Sequence, residues 1–224
     1  MNIVLVNGSP RKNGATAKLL CAAADGAKSV LGESATVERI DVYSKKYGGC
    51  KSCFGCKLPS TQGKGCILSD EMTEDLKKAE NADVLILGTP VYFFSESCGF
   101  RAFFERLLYP YKSFLPGVKT IFPKKIQSGI IYTMNVTEEQ YEQISKHMEI
   151  PPVAQPTATL AGEILGTCET FVAYDTQRTN EYERYVVDME KERAKEQRFR
   201  ENFPLQLDAA YAFGGMLARR AMGE

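Results

Sequence analysis

Apolar positions along the first 135 residues follow two alternating patterns. Short continuous runs, Ile3-Val4-Leu5-Val6 and Val84-Leu85-Ile86-Leu87, are what strands buried on both faces require. Between them, apolar residues three and four apart mark amphipathic helices. Ala15–Leu31 carries Thr16, Leu19, Leu20, Ala23 and Ala27 along one side. Residues 37–42 fit a second strand. Ser69 or Asp70 can cap a helix running to residue 81, and Asp70, Glu71, Glu74 and Asp75 suit its positive N-terminal end. A helix over 97–108 precedes a fourth strand at Ile126–Thr133. Thr137 with Gln140 forms a capping box for a helix reaching Met148, and 170–174 makes a fifth strand. This alternation predicts an α/β fold with a five-stranded parallel sheet.

Two stretches break the alternation. Residues 43–69 form a long insertion rich in Gly and Cys, and ordered loops of that length are usually functional. From residue 176 the chain is dense in charge through Arg200 and ends in an Ala-rich helical stretch, 207–222. The expected division is therefore an α/β domain over 1–175 and a helical extension over 176–224. That extension either packs along the domain or docks on a second subunit, with a slight preference for the second.

Composition narrows the partners. The 224 residues carry 28 basic and 28 acidic side chains, which argues against nucleic acid or an anionic membrane as a bulk partner. No apolar run approaches the roughly 20 residues of a membrane span. The start, Met1-Asn2-Ile3-Val4-Leu5-Val6, has no basic region followed by an apolar core and cleavage site, so a cytoplasmic location is expected. His147 is the single histidine and falls on a charged helix; without a Gly-x-Ser-x-Gly turn either, a Ser-His-Asp hydrolase is disfavoured. The seven cysteines point, in a reducing compartment, to metal or redox chemistry before disulfides.

After the first strand the chain reads Gly8-Ser9-Pro10-Arg11-Lys12-Asn13-Gly14-Ala15-Thr16. A buried strand, a polar glycine loop and a helix N-terminus together make an anion site: backbone N–H groups, the Ser9 and Thr16 hydroxyls and Arg11 are all donors. The spacing fits neither a Walker A loop, since Ala15 stands where Lys is needed, nor Gly-x-Gly-x-x-Gly. A plain βα turn that binds nothing has the same composition. The third strand ends in Gly88-Thr89-Pro90-Val91-Tyr92-Phe93-Phe94-Ser95. With strand order 2-1-3-4-5, strands one and three flank the switch point where open parallel sheets bind ligands. An aromatic loop there offers a flat wall for a planar ring, although aromatics of this kind also serve as core.

These residues resemble the NADPH-dependent FMN reductase and multimeric flavodoxin group. The resemblance rests on Gly8-Ser9-Pro10-Arg11 with Gly14 and Thr16, on Thr89-Pro90-Val91-Tyr92, and on the helix with Arg101, Phe104 and Arg106. It implies a flavodoxin-like three-layer sandwich binding FMN. Ser9, Arg11, Asn13, Gly14, Ala15 and Thr16 would then contact the phosphate. Pro90, Val91, Tyr92 and Phe93, with Ser95, would face the ring, and Thr133 in Tyr132-Thr133-Met134 would meet its edge. It further implies an NAD(P)H-dependent oxidoreductase passing electrons to a quinone, a flavin or another small acceptor, as a homodimer or homotetramer.

Inside the insertion the spacing is Cys50-x2-Cys53-x2-Cys56-x9-Cys66. Four thiolates suffice for one [4Fe–4S] cluster and equally suit zinc, and reduced thiols in an active-site loop are the third reading. The cluster resembles that of iron–sulfur flavoproteins, but the x9 gap is longer than that branch shows. Two rival functions follow: an electron carrier serving a redox protein such as a ferredoxin, and a thiol-based metal or redox sensor. Cys98 opens the helix after the aromatic loop, where a packing role beside Gly99 is expected, and Cys21 and Cys168 read as buried.

Overall fold

In the computed structural model, which describes residues 1–150, 152–179 and 181–224, five parallel strands form the body of one sheet. They are β1 (Asn2–Asn7), β2 (Thr36–Asp41), β3 (Val84–Tyr92), β5 (Ile126–Thr133) and β6 (Gly166–Ala173), in the order β2-β1-β3-β5-β6. A sixth strand, β4 (Ser95–Glu96), folds back antiparallel on the end of β3. It is the one addition to the expected five, and two residues are too few to leave a periodic signal.

The continuous apolar runs arise because helices cover both faces. Ile3, Leu5, Val84 and Ile86 pack on α1 (Ala15–Leu31) and α6 (Met189–Met222). Val4, Val6, Leu85 and Leu87 face the opposite way, against α2 (Thr73–Glu80), α3 (Cys98–Leu108) and α5 (Ala154–Leu165). The result is a three-layer sandwich. α4 (Glu138–His147) starts with the capping box of Thr137 and Gln140. Among the described residues no helix is long and apolar enough to cross a membrane.

Several boundaries differ from the sequence reading. Asp70 does not cap α2: one carboxylate oxygen accepts from the Met72 N–H at 3.1 Å and the other is turned to Arg106. α5 has no counterpart in that reading, because Pro151, Pro152 and Pro156 mask its start; Pro156 sits in the first turn, where a missing N–H costs nothing. Cys21 and Cys98 are exposed, not packed. α6 is a single 34-residue helix running through Pro204. Its later part lies on α1 of the same chain at backbone contact: a Cβ on Gly26 would overlap the Tyr211 carbonyl, and one on Gly214 the Ala23 carbonyl.

Candidate functional site

β3, expected to stop at Gly88, runs on to Tyr92, and it lies close to the end of β1 where Gly8, just past that strand, sits beside Gly88. The Gly8 N–H donates to the Gly88 carbonyl at 2.7 Å, and a Cβ on Gly8 would meet that oxygen and Phe100 at 2.8 Å. Beyond Gly8 the chain winds into a turn. The Asn7 side chain accepts from the Ser9 N–H at 3.2 Å, Ser9 Oγ accepts from the Arg11 N–H at 3.2 Å, and the Gly14 N–H donates to the Arg11 carbonyl at 3.2 Å. α1 then starts from Gly14 with no side-chain cap and no acidic residue in its first turn. Its leading N–H groups and positive dipole end are left for an anion.

The second wall is a tight hairpin. Phe93 and Phe94 turn the chain with φ of 48° and 61°, a left-handed backbone that bulky residues rarely adopt. Phe94 packs on Tyr141, ring centroids 6.4 Å apart, while Phe93 is fully exposed. The base of the hairpin is fixed from below. The buried Glu96 carboxylate accepts from Thr157 Oγ1 at 2.5 Å and from the Tyr132 hydroxyl at 3.3 Å. Burial, reinforced by the Glu96 charge, pushes the Tyr132 hydroxyl well above its ordinary range. Ser97 ties this wall to the first: its hydroxyl donates to the Gly8 carbonyl at 2.5 Å and its N–H donates to Thr89 Oγ1 at 3.1 Å.

The third wall comes from the ends of β5 and β6. The Thr16 and Thr133 hydroxyls share a buried hydrogen bond of 2.8 Å, which links α1 to β5. Backbone bonds join the two strand ends: Met134 N–H to the Ala173 carbonyl at 3.0 Å and Thr176 N–H to the Met134 carbonyl at 2.9 Å.

A cleft of about 370 Å³ lies between these walls. Of the residues expected from the sequence, Ser9, Arg11, Ala15, Thr16, Pro90, Val91, Tyr92, Phe93 and Thr133 line it. Asn13 and Gly14 line an adjoining pocket of about 300 Å³ together with Arg11 and Ala15. Ser95 lines neither, and its hydroxyl is directed to Glu96 Oε2 at 3.4 Å. Asn135, Thr176, Gln177 and Arg178 also line the cleft and were missed in the sequence. They follow the last two strands at their carboxyl ends, so the rule that located the first two loops would also have found them. The arrangement suits a ligand with an anion at the α1 end and a flat ring toward the aromatic hairpin.

The cysteine loop is a separate construction. Cys50, Cys53, Cys56 and Cys66 line one pocket beside Arg106 and Tyr109. Cys56 is buried, and burial raises its thiol above the usual range against the opposing charge of Lys57. Arg106, the largest fully buried side chain, reaches into the loop from α3. It donates to Asp70 Oδ2 at 2.5 Å, the Gly48 carbonyl at 3.2 Å, the Leu68 carbonyl at 3.0 Å and Cys66 Sγ at 3.4 Å. In return Lys57 leaves the loop and donates to the carbonyls of Tyr109 and Lys112, both at 2.6 Å, just after α3. Four thiols have the right chemistry for iron or zinc, but among the described residues no three Cys, His, Asp or Glu side chains converge as metal ligands.

The chain is similar to several known proteins. An "Iron-sulfur flavoprotein" of Archaeoglobus fulgidus is 34% identical over 111 residues, half of this chain and 47% of that protein. The chain thus spans about half the length of the curated relatives it matches. Among solved structures, an NAD(P)H:quinone oxidoreductase from Methanothermobacter marburgensis superposes with a TM-score of 0.63 at 16% identity, covering 97% of this chain and 96% of that one. An FMN-dependent NADH-azoreductase from Bacillus anthracis, in complex with FMN, superposes with a TM-score of 0.62 at 14% identity, covering 98% and 99%. At such identities these two establish the shared flavodoxin-like fold. The profile of the NADPH-dependent FMN reductases matches residues 1–160, and the chain belongs to that family.

Proposed function

We propose that the chain binds FMN in the cleft and acts as an oxidoreductase that takes electrons from NAD(P)H and passes them to a small acceptor such as a quinone or a free flavin. The observation that carries this reading is the convergence of an uncapped α1 N-terminus, Arg11 and a strained aromatic hairpin on one cleft at the switch point of the sheet. FMN held there would supply two-electron redox chemistry between a reduced nicotinamide and the acceptor. The protein's part is to bind and orient. Arg11 and the leading amides of α1 neutralise a phosphate, and Pro90–Phe93 form the wall beside the ring. The hydroxyl pair Thr16–Thr133 ties the α1 end to β5, the strand that pairs with β3 beside that wall. Titration of the flavin-free chain with FMN should quench the flavin fluorescence, and the loaded protein should oxidise NADPH or NADH when a quinone is supplied. Failure to retain FMN removes this reading.

A second reading, an electron carrier with an iron–sulfur centre at Cys50, Cys53, Cys56 and Cys66, is favoured by their lining one pocket and by the name of the archaeal relatives. Anaerobic reconstitution with iron and sulfide tests it directly. Retained iron and sulfide in equal amounts, with rapid reduction by a ferredoxin and none by NAD(P)H, would favour the carrier. A flavin spectrum alone would sink it.

A further inference from the structure

Gln177 lies beyond residues 1–160, the span matched to the family. Its Nε2 is buried and has no hydrogen-bond partner among the described residues. The side chain lines both the main cleft and the adjoining pocket at the start of α1, and Arg11 and Ala15 line both as well. A buried amide without an acceptor is costly, and this one borders the cleft from which an acceptor can arrive. The groups around it are donors too: the Arg11 side chain and the uncapped first turn of α1, which has no carboxylate. A ligand that satisfies all of them is an anion with several oxygens.

The position of Gln177 is held from both sides. Before it, the Thr176 hydroxyl and N–H both donate to the Met134 carbonyl, at 3.0 and 2.9 Å, and the Asn135 amide donates to the Thr176 carbonyl at 3.1 Å. From α6, Arg198 and Lys195 grip Asp175 at 2.8 and 3.1 Å, and Gln206 Nε2 donates to the Tyr174 carbonyl at 2.8 Å. The segment is a strap that the C-terminal helix ties across the strand ends.

We propose that this strap is a fourth wall of the flavin site and that Gln177 donates its amide to the phosphate monoester of FMN, an inference that rests on the FMN reading above. Its test compares FMN with riboflavin, which lacks the phosphate, by fluorescence quenching on the full flavin-free chain. Gln177→Leu should weaken FMN about tenfold, the ordinary consequence of losing a hydrogen bond to a charged group, and leave riboflavin unchanged. Gln177→Glu, nearly isosteric, should weaken FMN further through repulsion and again spare riboflavin; it carries the test if the Leu variant does not fold. An unchanged ratio of FMN to riboflavin affinity in the variants overturns the proposal, as does an equal fall for both ligands. If the wild-type chain binds FMN no better than riboflavin, the phosphate assignment fails alone; if it binds neither, the FMN reading fails with it.

Discussion

The cleft and the cysteine loop both start at carboxyl ends of strands, yet they are built on opposite plans. The cleft is assembled from turns of a few residues, and neighbouring turns share many modest bonds: Ser97 with Gly8, Thr16 with Thr133, Thr176 with Met134. The cysteine-bearing stretch has no strand of its own, and its polar links to α3 and the turn after it run through two cations, Arg106 reaching in and Lys57 reaching out. Distributed bonding survives the loss of one member. A guanidinium that serves one carboxylate, two carbonyls and a sulfur at once has no substitute.

The largest expected effect tests that asymmetry. Arg106→Met should lower stability by about 3 kcal/mol in chemical denaturation, because Asp70 keeps the Met72 N–H but loses its counter-ion and three further acceptors lose their donor. A loss comparable to that of a single cleft bond would erase the distinction.

The ion pair also has a pH signature. Burial works against ionising Asp70, but Arg106 and the Met72 N–H outweigh it and hold the carboxyl below its usual range. The unfolded chain, with an Asp pKa of about 3.9, therefore takes up the proton first. The stabilisation is present above that value and disappears as pH falls through the depressed folded one. Wild type should exceed Asp70→Asn in melting temperature at neutral pH, and the gap should close below about pH 4. A gap that persists in acid would mean the pair does not act through its charge.

Smaller still is the expected cost in the cleft, where Thr133→Val should cost about 1 kcal/mol, the worth of one hydrogen bond among several. Timed alkylation read by mass spectrometry gives the finest comparison. Exposed Cys21, Cys50, Cys53 and Cys98 should label quickly at neutral pH. Cys56 should lag because burial raises its thiol, and Cys168, pushed to about 11 by burial, should lag most. Arg106→Met should bring Cys56 into the fast group while Cys168 stays slow; unchanged Cys56 labelling would show that the loop does not depend on the guanidinium.

The same contrast explains what the sequence revealed. The first two cleft loops were legible because their chemistry is local: a buried strand, then Gly-Ser-Pro-Arg or Thr-Pro-Val-Tyr, with the consequence set within a few residues. The bounds of α1 and β5 followed from the same short-range patterns, whereas the strand order came with the flavodoxin-like resemblance. Cysteine spacing was equally visible. What lay hidden depends on distant partners. Arg106 looks like one charge on an amphipathic helix until Gly48, Cys66, Leu68 and Asp70 close around it. Asp70 has the sequence of a helix cap, and its carboxylate is diverted by that same arginine. Gln177 has no local motif and gains its position from β5 and α6.

The hairpin of Phe93 and Phe94 has a consequence for how fast and how tightly a ring can dock. Holding two phenylalanines in left-handed backbone costs about 1–2 kcal/mol each, and folding has already met that cost through Phe94 on Tyr141 and the Glu96 anchor. The backbone under the exposed Phe93 is therefore set before any ligand arrives. Little chain entropy remains to be lost on contact, so binding energy that a floppy loop would spend on its own ordering is retained as affinity.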